Sequence, residues 1–89
     1  MNEIKIRYSK DALKFLSKLD KKSIGRIREA ITGLTYHPPV GDIKTMQGYN
    51  DGRKRLRDVT WRIIYRQENE ETVDIIIVID IGNRGDIYK

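Results

Sequence analysis

Cationic side chains crowd one short stretch of the chain, Arg53-Lys54-Arg55-Leu56-Arg57-Asp58-Val59-Thr60-Trp61-Arg62. A guanidinium is a planar fork of donors that stays charged at any working pH, and it matches the oxygens of a phosphate two at a time. If the stretch is a β-hairpin, alternation along a strand sends Arg53, Arg55 and Arg57 to one face and Lys54 and Leu56 to the other. Asp58-Val59-Thr60 then forms a short loop. The returning run places Trp61, Ile63 and Tyr65 on one side and Arg62, Ile64 and Arg66 on the opposite one. Leu56 and the Trp61, Ile63, Tyr65 set belong against a core, so the arginines are expected to look outward together. An arginine-rich strand also suits a plain solvated sheet face; guanidiniums converging from two paired strands favour a phosphate site.

The elements that must hold such a hairpin come from a chain of 89 residues, the size of one domain, expected to span 1–89. Hydrophobic residues make up 38 % and charged residues 35 %, which is lean for a compact fold yet too rich in Ile, Leu and Val for disorder. With 18 Lys and Arg against 13 Asp and Glu, the net charge of +5 draws the protein to polyanions. Cysteine is absent, which excludes disulfides and thiol catalysis. His37 is the one histidine, so a zinc site is not expected, nor is any cofactor. The first residues lack the long apolar run of a signal peptide and no segment reaches membrane-spanning length. A soluble, cytoplasmic protein without a membrane partner is expected.

Ile4, Ile6 and Tyr8 alternate with Lys5 and Arg7, the pattern of a half-buried strand. Ser9 is placed to cap a helix whose Ala12, Leu13, Phe15, Leu16 and Leu19 recur at helical spacing, with Asp11 in its first turn. Asp20 starts a second helix with an Ile24, Ile27, Ile31, Leu34 stripe, stopped by His37-Pro38-Pro39. Such a hairpin of short amphipathic helices needs a sheet to lie on. Val40 to Gly52 reads as a linker tacked down by Ile43 and Met46. A turn centred on Asn69-Glu70-Glu71 precedes Val73 to Ile81, a β-branched run suited to an inner strand, with Asp74 and Asp80 on one side by parity. Gly82 to Tyr88 turns away. Trp61 and Tyr65 are expected in the core, and Asp74 and Asp80 as ion-pair partners for arginines.

Taken in order, these features resemble the RelE/ParE superfamily of toxins from bacterial type II toxin-antitoxin systems. The resemblance rests on the strand, the helical hairpin closed by Pro38-Pro39, the Met46-Gln47-Gly48 turn, the Arg55 to Tyr65 hairpin, and Gly82-Asn83-Arg84-Gly85-Asp86-Ile87-Tyr88. It covers essentially the whole chain. It implies an α+β, RelE-like and microbial-ribonuclease-like fold, in which an N-terminal strand and two-helix hairpin pack on a twisted antiparallel sheet. RelE-like members are metal-independent mRNA interferases, endoribonucleases that cut mRNA on the ribosome by attack of a 2′-hydroxyl on the adjacent phosphate. ParE-like members inhibit DNA gyrase instead. A cognate acidic antitoxin is the implied partner in both cases.

Carried over residue by residue, the resemblance implies that Arg53 and Arg55 match the basic pair of the first hairpin strand, Arg62 the second-strand arginine, and Arg84 and Tyr88 the closing pair. Such chemistry needs cations on the pentavalent phosphate, an acid for the departing 5′-oxygen and a base for the 2′-hydroxyl. Arg53, Arg55 and Arg62 would supply the charge, Arg84 would approach the leaving oxygen, and Tyr88 would orient the 2′-hydroxyl or stack on a base. Arg57 and Lys54 are added as RNA contacts. RelE has lysines where this chain has Arg53 and Arg55, and many relatives have histidine where it has Asn83, so no residue is assigned as the base. Lys54 points away from the arginines unless a bulge redirects it.

Overall fold

In the computed structural model, residues 3–58 and 60–83 are described. The alternating N-terminal residues form strand β1 (Glu3–Tyr8), followed by helices α1 (Lys10–Leu16) and α2 (Lys21–Gly33). Four further strands follow: β2 (Asp42–Thr45), β3 (Lys54–Arg57), β4 (Trp61–Glu70) and β5 (Val73–Asn83). They make a five-stranded sheet in the order β1-β5-β4-β3-β2. The sheet is mixed, since β1 runs parallel to β5 while every other neighbouring pair is antiparallel. An all-antiparallel sheet is therefore corrected in one pair. β1 and β2, consecutive strands in the chain, lie at opposite edges of the sheet, and the helical hairpin carries the chain between them.

Ser9 sets the start of α1. Its Oγ accepts from the Ala12 backbone N–H at 3.0 Å, satisfying one of the donors that a helix leaves open, while its own N–H reaches the Val78 carbonyl of β5 at 2.9 Å. The helix stops at Leu16 rather than running to Asp20, with Ser17 Oγ donating to the Lys14 carbonyl at 2.7 Å. Leu13, expected on the buried stripe, is 53 % exposed. Asp20 occupies the N-cap position of α2, whose Ile27 and Ile31 are buried together with Leu34. Those residues, with Ala12, meet Leu56, Trp61, Ile63, Tyr65, Ile76, Val78 and Ile81 in one core between helices and sheet. Phe15 sets its ring edge to Trp61 at 5.9 Å between centroids. Among the described residues, no helix is long and apolar enough to cross a membrane.

Three sequence expectations change. Residues 42–45 are not linker but an edge strand paired with β3, and Ile43 does pack against the core as expected. A four-residue strand with one apolar side chain offers too little periodicity to be recognised without its partner. The second turn falls on Glu71-Thr72, with Glu71 at φ 55°, so Asn69 and Glu70 extend β4. Pairing of β4 with β5 shifts between Ile64, opposite Asp80, and Tyr65, opposite Val78, which leaves Ile79 as an extra residue on β5. A bulge of this kind inverts the alternation beyond it. Asp74 thus lies opposite Asn69, on the helix side by register, and Asp80 lies opposite Ile64 on the other side, rather than both together.

Candidate functional site

Because Leu56, Trp61, Ile63 and Tyr65 point into the helix-facing core, alternation turns Arg55, Arg57, Arg62 and Ile64 toward the other sheet face. The register arranges them in two cross-strand rows. Asp42, Arg57, Arg62 and Gly82 form one row across β2, β3, β4 and β5; Lys44, Arg55, Ile64 and Asp80 form the next. Directly opposite side chains on paired strands have Cβ atoms about 5 Å apart and diagonal ones roughly 7–8 Å. Arg57 and Arg62 are thus direct neighbours, with Arg55 diagonal to Arg62. The expected convergence of Arg55, Arg57 and Arg62 is found. Like charges directly opposite repel, and Asp42 offsets this, its Oδ2 lying 4.0 Å from Arg57 Nε.

These arginines share a face but do not all reach outward. Arg55 is 7 % and Arg62 2 % exposed, while the Arg57 side chain keeps 31 % of its surface open. The residue across from Arg62 on β5 is Gly82, which has no side chain to set against it. Two buried charges therefore neighbour a third that solvent can reach. Charge held in a poorly hydrated setting acts more strongly on its surroundings than the same charge in water.

Arg53 does not join this group. It precedes β3, and its guanidinium is taken by Asp51, with Nε donating to Oδ1 at 3.1 Å and Nη2 to Oδ2 at 2.9 Å. The guanidinium carbon Cζ of Arg53 stands over the Tyr49 ring, 4.2 Å from its centroid. That hydrogen bonding holds the Asp51 carboxyl below its ordinary value and raises that of Arg53. Lys54 lies opposite Tyr65, on the helix-facing side by register. The sheet does contain a bulge, but it is on β5 and leaves Lys54 where simple alternation puts it. Arg84 and Tyr88 lie outside the described residues. Asn83 ends β5 opposite Trp61.

Tyr65 is buried, and burial pushes its phenol above the ordinary value, so it is no base at neutral pH. Asp74 accepts from the Asn69 side chain, and Asp80 Oδ1 accepts from the Ile81 backbone N–H at 2.9 Å. Asp42 is the site residue that the sequence did not reveal, because it belongs to the strand read as linker. Further along the same face, Arg66 pairs with Glu68.

A two-helix layer on a five-stranded mixed sheet, with an arginine-lined opposite face, defines a RelE/ParE superfamily toxin. The family model of the ParE toxin of type II toxin-antitoxin systems matches residues 6–88, and the chain belongs to that family. No curated protein matches the chain at a significant level. Among solved structures, it is similar to an archaeal RelE-RelB complex from Pyrococcus horikoshii at 27 % identity and TM-score 0.68, over 96 % of this chain and 97 % of that one. A RelB-RelE antitoxin-toxin complex from Methanococcus jannaschii matches at 25 % identity and TM-score 0.66, over 92 % of this chain and 94 % of that one. The toxin-antitoxin complex RelBE2 from Mycobacterium tuberculosis, at 21 % identity, shares the fold with TM-score 0.71 over 94 % of this chain and 100 % of that one.

Proposed function

We propose that this toxin is an endoribonuclease of the mRNA interferase kind, cleaving single-stranded mRNA by attack of a 2′-hydroxyl on the adjacent phosphate. The observation that carries the reading is the triangle of Arg55, Arg57 and Arg62 on two paired strands. In this mechanism Arg57, the open member, contacts a non-bridging oxygen, and Arg55 and Arg62 stabilise from beneath the charge that grows on the pentavalent phosphate. Arg84 would serve the departing 5′-oxygen and Tyr88 the 2′-hydroxyl, as their match to the closing pair of RelE-like nucleases implies. The ribosome would present the message. A cognate antitoxin, acidic and partly disordered, would fold over this cationic face and neutralise it; the relatives crystallised with RelB support such a partner.

A second reading, gyrase inhibition without nuclease activity, is favoured by two observations. The matching family model carries the ParE description, and Arg55 and Arg62 are buried while Arg53 is engaged by Asp51. Inducing the toxin in a bacterial host separates the two. Primer extension on abundant messages should reveal new 5′ ends within minutes, and plasmid supercoiling should stay normal. Intact messages with accumulating gyrase–DNA cleavage complexes would establish the second reading instead.

A further inference from the structure

The loop joining β2 to β3 holds an arrangement that the arginine triangle does not use. Tyr49 is 48 % exposed, and the Arg53 guanidinium stands over its ring at 4.2 Å from the centroid. That cation is itself fixed. Asp51 accepts from Arg53 Nε and Nη2 at 3.1 and 2.9 Å, and its Oδ1 also accepts from the Arg53 backbone N–H at 3.2 Å. Gly48 and Gly52, at φ 87° and 73°, allow the backbone to turn on either side of Tyr49 in a conformation that side chains disfavour. Met46 N–H closes the loop on the Arg53 carbonyl at 3.1 Å. An exposed aromatic ring is thus backed on one side by a clamped cation.

We propose that Tyr49 is a stacking platform for one unpaired base of a single-stranded RNA, with Arg53 bracing the ring from behind. The inference rests on the RNA reading above and names a contact for that substrate. Every base has a flat π-face, so a ring of this kind binds without regard to sequence. Arg53 lies two residues before Arg55, a rise of roughly 6.6 Å along an extended strand. A single strand bound over the Arg55, Arg57, Arg62 triangle and running along β3 toward its start would bring a neighbouring base toward Tyr49. A plain surface turn would also contain glycines and an Asp–Arg pair; it would not gain from leaving an aromatic ring open above a clamped cation.

The test is binding of a fluorescent 2′-O-methyl oligoribonucleotide, which cannot be cleaved by 2′-hydroxyl attack, followed by anisotropy at fixed salt. Tyr49→Ala should weaken binding about tenfold, the scale of losing one base–aromatic stack, and Tyr49→Phe should bind as the parent does. Oligonucleotides with one abasic position, scanned along the strand, should include one that weakens the parent about tenfold and leaves Tyr49→Ala unaffected. Parent and Tyr49→Ala binding equally, with Arg57→Ala weakened, would overturn the platform and keep the RNA reading. A folded parent that binds no oligoribonucleotide would overturn both.

Discussion

At the scale of single residues, depth separates three arginines that alternation makes equivalent. Arg57 is open to solvent, whereas Arg55 and Arg62 are buried, so on the proposed nuclease reading Arg57 would meet the substrate directly and the other two would act through their fields and the packing of their stems. Arg57→Ala should lower RNA cleavage by about 10²–10³, the usual cost of one transition-state donor, while thermal melting followed by circular dichroism stays nearly unchanged. Arg62→Ala should abolish toxicity too, but by a different route. Truncating so large a buried side chain should cost about 2–4 kcal/mol, visible as a lower denaturation midpoint. Equal stability losses for the two variants would contradict the difference in burial. Asp51 offers a pH check. Its carboxyl is held below the ordinary 3.8 by the Arg53 hydrogen bonds, so whatever the clamp contributes is complete above that value and lost as pH falls through the depressed one. An NMR titration of the Asp51 carboxyl carbon should show the midpoint below 3.8, and Arg53→Ala, which removes the side-chain but not the backbone donors, should move it up toward that value.

Among the elements, helix α1 is short and leans on the sheet. Seven residues are too few for a stable isolated helix, so its start must be tied elsewhere. Ser9 does this, accepting from Ala12 N–H while its Oγ donates to the Ile79 carbonyl. That carbonyl belongs to the extra residue of the β5 bulge. Ser9→Ala removes a cap and a cross-element bond, with an expected loss of about 1–2 kcal/mol and an unchanged denaturant slope. A loss restricted to a few tenths of a kcal/mol would mean that water replaces both contacts. β2 works in the opposite direction: too short to declare itself, it contributes Asp42, which relieves the repulsion between Arg57 and Arg62.

For the whole molecule, a net charge of +5 on 89 residues makes association with any polyanion, the proposed RNA substrate included, a salt-dependent event. Each phosphate contact on a single strand should add about 0.7 to the slope of log affinity against log salt, so Arg57→Ala should flatten that slope by roughly 0.7. An unchanged slope would show that Arg57 neutralises no phosphate. The core is a single layer between two helices and the sheet, and a domain this small has little stability to spare. Ile27, fully buried at its centre, should cost about 2–5 kcal/mol when replaced by alanine, a substantial share of the total for a fold of this size.

Local chemistry was enough to determine the hairpin from Lys54 to Tyr65, the sides taken by its residues and the cap at Ser9, since alternation and capping act within a few residues, whereas α2 ends at Gly33, ahead of the His37-Pro38-Pro39 stop that the sequence suggested. It also placed Ile43, Trp61 and Tyr65 against the core. Only the tertiary structure decided which arginines are deep, that Arg53 turns back to Asp51 and Tyr49, that Asp42 joins the site through β2, and that a bulge at Ile79 puts Asp74 and Asp80 on opposite faces. Those outcomes depend on partners distant in sequence: alternation tells a side chain which way to point, and only the strands and loops that come to lie beside it set how far it is covered and which charge it meets.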